Sequence, residues 1–275
     1  MQNCFFHNLT IPDPTYERAP MIRHWIRFQH LDTIRFGTLE GDKIRIFKGD
    51  MFDSPRRTDM AVNLNEVEVL TPSVPGKVLA MWNNFHALGQ KLGLAPPAEP
   101  LYLMKPSTSY LAPGGTIRKP LCEGKVAFEG ELAIVIGRRC TAVPVEEAQD
   151  YVFGYTCAND VTVGEIIGRD PTFPQWVRAK GFDTFCPFGP VIATGLNPAM
   201  LVVRTTLNGE VRQDYPINDM VFSVAELVSR ISQDMTLEPG DLLLCGTSVG
   251  VGSMRPGSTI EVEIDGIGKL INRFE

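Results

Sequence analysis

The sequence contains no long apolar run and no excess of basic residues. None of its hydrophobic stretches approaches the ~20 residues that span a bilayer, and its N-terminus does not contain the apolar core of a signal peptide. Its 275 residues carry 26 Lys and Arg against 32 Asp and Glu, for a net charge of −6 and a pI near 5.4. This balance argues against nucleic acid or an anionic membrane surface as the main partner. We therefore expect a cytoplasmic globular protein with no nucleic-acid or membrane partner.

The cysteines form neither CxxC pairs nor a regular disulfide framework. The six positions are Cys4, Cys122, Cys140, Cys157, Cys186 and Cys245. Such scattered cysteines are typical of reduced, buried thiols in a cytoplasmic protein. A reactive thiol is the alternative, but apart from Cys4, which His7 follows three residues later, no cysteine has a histidine close to it in the sequence to support it.

The regular alternation of strands and helices that builds a doubly wound sheet is also missing, and most signals are those of strands and turns. Asn208-Gly209 and Asp265-Gly266 each separate two strand-like segments and predict tight hairpins. Helical patterns are few, and they cover residues 86–92, 145–149 and 223–232. The sequence predicts a mainly β fold with a few packed helices.

Composition also divides the chain. Residues 1–20 contain three prolines and no periodic pattern, so we expect a flexible arm there. Short strands with frequent turns over 21–72 predict a small β-rich N-terminal domain. The proline-bounded segment TPSVPG at 71–76 has the composition of a linker, and a larger domain follows over 77–275.

Two carboxylates, Glu129 and Glu131, stand at the head of the apolar run EGELAIVIG. Side chains at i and i+2 of a strand point to one face, so both acids would converge, and burying two like charges is costly without a cation. Asp160, in GYTCANDVT, would complete an all-oxygen site for a hard divalent ion, Mg²⁺ first, then Mn²⁺ and Ca²⁺. The alternative is a solvated strand end or pairing with arginines.

Other segments suggest substrate contacts, each with an ordinary structural alternative. Lys180 lies among aromatic and small residues, where a partly desolvated ammonium would stabilise an oxyanion; a solvated surface lysine is the alternative. The glycine-rich loop 245–257 offers backbone amides and the hydroxyls of Thr247 and Ser248 to a carboxylate, but it has no Walker A lysine and also suits a tight strand connection. His86 suits a general base or a helix cap. Lys105 is a weaker candidate for binding an acid substrate, since most lysines are exposed.

Taken in order, KVLAMWNNFHAL, LMKPSTS, FEGELAIVIG, GYTCANDVT, QWVRAKGFDTFCPFGP, LNGE, LEPGDLLLCGTSVGVG and DGIGKLINRF resemble the catalytic domain of the fumarylacetoacetate hydrolase family. The resemblance covers 77–275, and the section from Trp25 to Leu70 is similar to the small N-terminal domain of some bacterial members. It implies a rolled, mostly antiparallel β core, usually dimeric, that binds Mg²⁺ or Mn²⁺. By position, it implies that Glu129, Glu131 and Asp160 are the metal ligands. Lys180 matches the lysine of the G-K-S-F-D-like motif, and Thr247 the threonine that contacts the substrate carboxylate.

The chain departs from the family pattern at two places. Many members carry N-Y-x-x-H followed by a glutamate, a dyad that orients water; here Asn84-Phe85 fits, but Leu88 and Lys91 occupy the histidine and glutamate positions. His86 lies two residues early, which turns it about 200° away on a helix. Where many members read N-D-V-S-A-R-D-x-Q, this chain has Gly164 and Ile167 in place of arginine and glutamine. We therefore expect substrate recognition to differ from that of better-known members.

The resemblance implies an enzyme, and the leading hypothesis is a hydrolase that cleaves a C–C bond of an acylpyruvate-type 2-oxo acid in aromatic-compound catabolism. The acid would chelate the metal, the enolate of pyruvate would be stabilised by the metal and Lys180, and His86 would activate water. The rival is a decarboxylase of an oxaloacetate-like acid or an isomerase of a 2-hydroxydienoate, which needs no water and fits the missing glutamate. A non-catalytic scaffold stabilised by metal is a third possibility, against which the buried paired acids argue.

Overall fold

The structure, a computed structural model, describes residues 21–275. It is mostly β with few helices, as predicted. The expected flexible arm of residues 1–20, and with it Cys4, lies outside the described residues. Within residues 21–275 no helix has the length and apolarity that crossing a bilayer requires.

The N-terminal strands form an antiparallel meander that is continuous with the rest of the protein. The strands are β1 (Arg23–His30), β2 (Thr33–Glu40), β3 (Lys43–Lys48), β4 (Arg56–Asn63) and β5 (Glu68–Val69). Strand β1 pairs with β2 on one side, and on the other side with β5 and with the later segment Cys186–Thr194, where Trp25 lies opposite Ile192. Residues 21–72 therefore extend the main sheet, and their status as a separate domain stays a prediction.

The remaining strands build that main sheet and two smaller ones. They are β6 (Val78–Trp82), β7 (Leu101–Lys105), β8 (Tyr110–Leu111), β9 (Thr116–Ile117), β10 (Val126–Phe128), β11 (Gly130–Ile136), β12 (Val152–Asn159), β13 (Thr162–Val163), β14 (Cys186–Thr194), β15 (Val202–Leu207), β16 (Glu210–Pro216), β17 (Leu242–Leu244), β18 (Gly252–Ser253), β19 (Ser258–Ile264) and β20 (Gly268–Phe274). The main sheet has the order β4-β3-β2-β1-β14-β12-β11-β17-β6-β7, and β8, which follows β7, returns to pair with β14. The chain that leaves β7 at one end of the strand order thus returns to β14 in its middle.

Both predicted hairpins are present, since Asn208-Gly209 joins β15 to β16 and Asp265-Gly266 lies between β19 and β20. These strands form a second sheet, β16-β15-β19-β20-β9, and β13-β10-β18 form the third.

The helices are short, and two of the three predicted ones are α-helices. The α-helices are α1 (His86–Leu92), α2 (Gly164–Ile167), α3 (Trp176–Lys180) and α4 (Val224–Asp234). Helix α4 begins at a capping box in which Ser223 and Glu226 satisfy each other's backbone amides. The predicted helix at 145–149 is instead a 3-10 helix, Val145–Tyr151. In that segment only Ala148 is buried, so no apolar face stabilises a longer α-helix. Further 3-10 turns are Leu64–Glu66, Ser107–Ser109, Pro198–Met200 and Ile217–Asp219.

Strand β11 lies at the centre of the core and is buried along its whole length, as its unbroken apolar run predicted. Leu132, Ile134 and Ile136 face the larger hydrophobic cluster, under the second sheet. Ala133 and Val135 face the other cluster, which also contains Ala80 of β6 and Leu244 of β17. Because side chains alternate, Glu131 shares the face of Ala133 and Val135.

The cysteines of the described residues are free thiols, four buried and Cys122 half-buried, as expected for core positions. Burial raises the pKa of Cys186 to about 12, which leaves its thiol protonated and unreactive at neutral pH.

Gly130, between the two glutamates, marks a close approach of the two sheets. A Cβ at this position would lie 2.0 Å from Oγ1 of Thr205 on β15. The backbone of Gly130 donates to Oε1 of Gln213 at 3.0 Å and accepts from the Tyr215 hydroxyl at 2.6 Å. Only glycine therefore fits between the two acids while the second sheet is held against them.

We predict that Gly130→Ala lowers the free energy of unfolding by about 1–3 kcal/mol, because the added methyl group overpacks this contact. Urea denaturation would measure the change. Gly164→Ala is the matched control, since a Cβ there meets nothing within 4 Å. Adding Thr205→Ala to Gly130→Ala should recover part of the loss. Equal stability of Gly130→Ala and wild type would contradict the packing argument.

Candidate active site

The three acids predicted to bind a metal converge at one point. Glu129 directly precedes β11, Glu131 lies within it, and Asp160 directly follows β12. Gly130 pairs with Asn159, so Glu129 and Asp160 face each other across the two strands, and the Asp160 amide donates to the Glu129 carbonyl at 2.9 Å. One carboxylate oxygen from each acid lies within 4.8 Å of the others. Antiparallel pairing thus brings together acids that are far apart in the sequence.

Two buried lysines reach this acid cluster, which we define as Glu129, Glu131 and Asp160. Lys180 Nζ lies 2.7 Å from Oδ2 of Asp160 and 2.9 Å from Oε2 of Glu129. It also donates to the Thr162 hydroxyl at 2.6 Å. Lys105, at the end of β7, forms an ion pair with the other oxygen of Asp160. Both lysines are thus in contact with the predicted metal ligands, and neither is the exposed surface lysine that was the alternative.

Burial and charge act in opposite directions on these groups. Burial alone would raise the pKa of Asp160, but Lys105 and Lys180 outweigh it and hold this pKa below its usual value. Burial would lower the pKa of Lys180, but Asp160 and Glu129 hold it above its usual range. At neutral pH, Asp160 is therefore charged and Lys180 keeps its proton.

Glu131 is the least compensated member of the acid cluster. Burial, followed by the neighbouring Asp160 and Glu129 carboxylates, raises its pKa well above the usual value. Its Oε2 accepts from the Gly246 amide at 2.7 Å, but its buried Oε1 has no hydrogen-bond partner among residues 21–275. An unpartnered carboxylate oxygen is costly to bury. A hard divalent cation would satisfy this oxygen, so the cluster fits Mg²⁺ or Mn²⁺.

The glycine-rich loop after β17 reaches the acid cluster, but its Gly246 amide and its Thr247 hydroxyl bind protein groups. The amide of Gly246 is used by Glu131, not left open for a ligand. The Thr247 hydroxyl donates to the Gly130 carbonyl at 3.0 Å and accepts from Nε2 of Gln213 at 2.8 Å. The hydroxyl of Ser248 is buried and has no hydrogen-bond partner in the described part of the chain. A contact between Thr247 and a substrate carboxylate stays a prediction. It requires the Thr247 hydroxyl to turn its proton from the Gly130 carbonyl to the carboxylate.

His86, unlike Lys105 and Lys180, forms no hydrogen bond with the acid cluster within residues 21–275. It is exposed at the first position of α1, next to the buried Phe85. Asn84, before it, bridges the Cys245 carbonyl and the Phe222 amide, at 2.8 and 2.9 Å. This bridge fixes where α1 begins and leaves the imidazole in solvent. A catalytic role for His86 stays a prediction.

Two residues of the site were not found from the sequence. Thr162 donates to Oε1 of Glu129 at 2.9 Å and accepts from Lys180, so it orients both. Gln213 links the backbone of Gly130 to the glycine-rich loop through Thr247 and the Ser248 carbonyl. Thr162 lies two residues after Asp160, and this spacing was a signal that both side chains could reach the same site. Gln213 shares one strand face with Tyr215, but nothing in the sequence places that face against Gly130.

The chain matches two family models. Residues 77–275 match the family model "Fumarylacetoacetate (FAA) hydrolase C-terminal", and residues 23–72 match "Rv2993c-like, N-terminal". Protein Rv2993c of Mycobacterium tuberculosis is 39% identical over 251 residues, which are 88% of this chain and 94% of that protein.

Two relatives carry names that state a reaction. The mitochondrial oxaloacetate decarboxylase of Dictyostelium discoideum is 38% identical over 196 residues, 70% of this chain and 89% of that protein. The mitochondrial oxaloacetate tautomerase FAHD1 of Arabidopsis thaliana is 38% identical over 197 residues, 70% and 88% of the two chains.

Solved structures agree over almost the whole chain. The 2-hydroxyhepta-2,4-diene-1,7-dioate isomerase of Mycobacterium marinum superposes with a TM-score of 0.84 at 38% identity, covering 92% of this chain and 98% of that one. Maleylpyruvate hydrolase of Sphingobium sp. SYK-6, in complex with manganese(II) and pyruvate, gives 0.73 at 28% identity, covering 91% and 98%. The resemblance of the motifs is thereby confirmed, and the chain belongs to the fumarylacetoacetate hydrolase family.

Proposed function

We propose that this protein is a divalent-metal-dependent enzyme that binds a 2-oxo acid at the acid cluster and stabilises its enolate, catalysing isomerisation or tautomerisation. The observation that carries the proposal is the position of Lys180, a buried, protonated lysine that contacts two of the three predicted metal ligands. An ammonium held there stabilises the negative charge that develops on an enolate oxygen.

Each residue of the site has a part in this reaction. Glu129, Glu131 and Asp160 would hold Mg²⁺ or Mn²⁺, which when bound supplies Lewis-acid stabilisation of the 2-oxo group. Lys180 supplies a fixed positive charge and does not act as a base, because its pKa is held above its usual range. Lys105 fixes one oxygen of Asp160, and Thr162 orients Lys180. The burial of these groups excludes water and strengthens their charge interactions.

A reaction without added water is favoured over hydrolysis by the surroundings of the acid cluster. Among residues 21–275, no histidine donates to or accepts from the cluster, and the position of the dyad's glutamate is the exposed Lys91. A hydrolase needs a group that activates water. The tautomerase and isomerase among the similar proteins are also consistent with this choice.

Hydrolysis of an acylpyruvate is the second candidate, because the similar maleylpyruvate hydrolase structure contains manganese and pyruvate. In that reaction water adds to the distal carbonyl, and the C–C bond breaks to give a carboxylic acid and pyruvate. Decarboxylation of an oxaloacetate-like acid is related to the first candidate because it also forms the enolate of a 2-oxo acid, in this case the enolate of the product that has lost CO₂. A homodimer, which the family resemblance implies, stays a proposal with either candidate, and a role in aromatic-compound catabolism is proposed with the second.

Isotope incorporation separates these reactions. The Mg²⁺-loaded protein would be incubated in D₂O or H₂¹⁸O with acetylpyruvate, oxaloacetate and phenylpyruvate, and the products followed by NMR and mass spectrometry. Enolisation places deuterium at C3 without a change in the carbon skeleton, whereas hydrolysis releases pyruvate and an ¹⁸O-labelled acid, and decarboxylation releases CO₂. If the metal-loaded protein catalysed neither enolisation, hydrolysis nor decarboxylation, the result would support the hypothesis of a non-catalytic scaffold.

Glu131→Gln should weaken Mn²⁺ binding by about 100-fold, because it removes one charged ligand while the shape is kept. Isothermal titration calorimetry would measure the affinity. Glu146→Gln is the control, since Glu146 is exposed on the 3-10 helix at 145–151. Unchanged Mn²⁺ affinity in folded Glu131→Gln would refute the metal site.

Lys180→Met should lower kcat for enolisation by about 10²–10³-fold, because it removes the charge that stabilises the enolate. Mn²⁺ affinity should not fall, since the change removes a positive charge beside the ligands. Stopped-flow loss of enol absorbance would give kcat, and the exposed Lys48→Met would serve as control. A variant that lost Mn²⁺ binding but kept kcat at saturating metal would assign Lys180 a structural role only.

A further inference from the structure

A cavity of about 370 Å³ opens near the acid cluster, and its walls are apolar and aromatic. The cavity is lined by Trp82, Pro100, Leu101, Tyr102, Leu103 and Trp176. The rings of Trp82 and Trp176 lie 4.9 Å apart between centroids and are tilted by 45°. Both rings are half-buried, and Leu101 is 45% exposed. The cavity is therefore accessible, and an apolar occupant would remove its surface from water.

Strand register places this cavity beside the acid cluster on the same sheet face. Ala133 pairs with Leu244, Leu244 with Ala80, and Ala80 with Leu103. A shift of two residues in one direction across the sheet leads to the adjacent row. This row consists of Glu131, Gly246, Trp82 and Leu101. Gly246 is near both neighbours, since its amide binds Glu131 and a Cβ on it would lie 3.3 Å from the Met81 carbonyl.

Side-chain alternation puts Glu131 and Trp82 on one face, because Ala133 and Ala80 belong to the same hydrophobic cluster. Trp82 lies two strands from Glu131, which at the usual strand spacing is about 10 Å.

Helix α3 contacts both the cavity and the acid cluster. Trp176 packs against the hydrophobic cluster on this face and lines the cavity, and Lys180, at the other end of α3, contacts Asp160 and Glu129. Residues four apart share a helix face and lie about 6 Å apart along it. A ligand that touches both Trp176 and Lys180 therefore has the length of a short substituted 2-oxo acid.

The charges around the cavity do not suit a second carboxylate. Among the described residues, no lysine, arginine or histidine lines it. Its one hydroxyl, that of Tyr102, is already hydrogen-bonded to Oδ2 of Asp234 at 3.0 Å, and this side chain packs on the opposite face of β7 from Leu103. A distal carboxylate of the substrate would lose hydration there and gain no cation.

We infer that this cavity holds the distal end of the substrate and selects a 2-oxo acid whose distal group is uncharged, aryl or bulky alkyl, over a dicarboxylate. The inference rests on the proposed function, since it assumes that the acid end lies at the acid cluster. Trp82, Trp176 and Leu101 are then specificity-determining residues. They act on the distal group and not on the enolate.

The test compares enol-to-ketone conversion of phenylpyruvate and oxaloacetate by the Mg²⁺-loaded protein, with oxalate affinity measured in parallel. Wild type should have a kcat/KM about 10-fold or more higher for phenylpyruvate. Leu101→Arg should shift this ratio toward oxaloacetate by about 10-fold or more, because the guanidinium supplies the missing cation. Met104→Arg, on the opposite face of β7 and 46% exposed, should leave the ratio unchanged.

Trp82→Ala should lower kcat/KM for phenylpyruvate by about 10-fold and leave oxalate affinity unchanged, because oxalate has no distal group. A wild-type preference for oxaloacetate, or a ratio that Leu101→Arg and Trp82→Ala do not move while oxalate still binds, would overturn the inference and leave the proposed function intact. Failure of metal-loaded wild type to bind oxalate or to convert either acid would overturn both.

Discussion

The charge balance at the start of β11 is the constraint on which the rest of the site depends. Three carboxylates and two lysines meet where water is nearly excluded, and the two lysines compensate mainly Asp160. Glu131 keeps an oxygen that has no partner among the described residues, so the cluster offers a ligand atom at a defined position. A cluster of this kind is too costly to serve as packing, because apolar residues would stabilise the core better. Its retention indicates a site for a cation.

The fold holds this cluster rigidly from both faces of one strand. On one side of β11, the second sheet approaches so closely that Gly130 has no room for a side chain, and Gln213 and Tyr215 fix its backbone. On the other side, α3 brings Lys180 over the acids. The acids therefore cannot separate to relieve their repulsion unless the sheets move apart. Rigid packing preserves a geometry that electrostatics alone would open, and such preorganisation is what enolate stabilisation needs.

The sequence was informative where chemistry and periodicity coincided. The pattern Glu-Gly-Glu before an apolar run predicted a buried strand with two convergent acids, and the hairpin turns and α1 and α4 followed from local signals. Local signals failed for α2 and α3, since α3 has five residues and Gln175 provides no side-chain cap. Tertiary contacts hold it instead. The pairing of Lys105 with Asp160 and the link from Gln213 to Gly130 depend on how the sheet returns on itself, and no periodicity encodes that.

Charge also connects the acid cluster to the cavity beside it. With all its acids ionised, the cluster carries one uncompensated negative charge, which a divalent cation would convert to one positive charge. The carboxylate of a 2-oxo acid would then neutralise the assembly, so one acid group is enough to complete it. A second carboxylate would leave a net negative charge in a cavity whose walls, among the described residues, offer two tryptophans and no cation. Because unpaired buried charge is the most costly element in such a site, the cluster and the cavity favour the same ligand, a monoanion with an uncharged distal end.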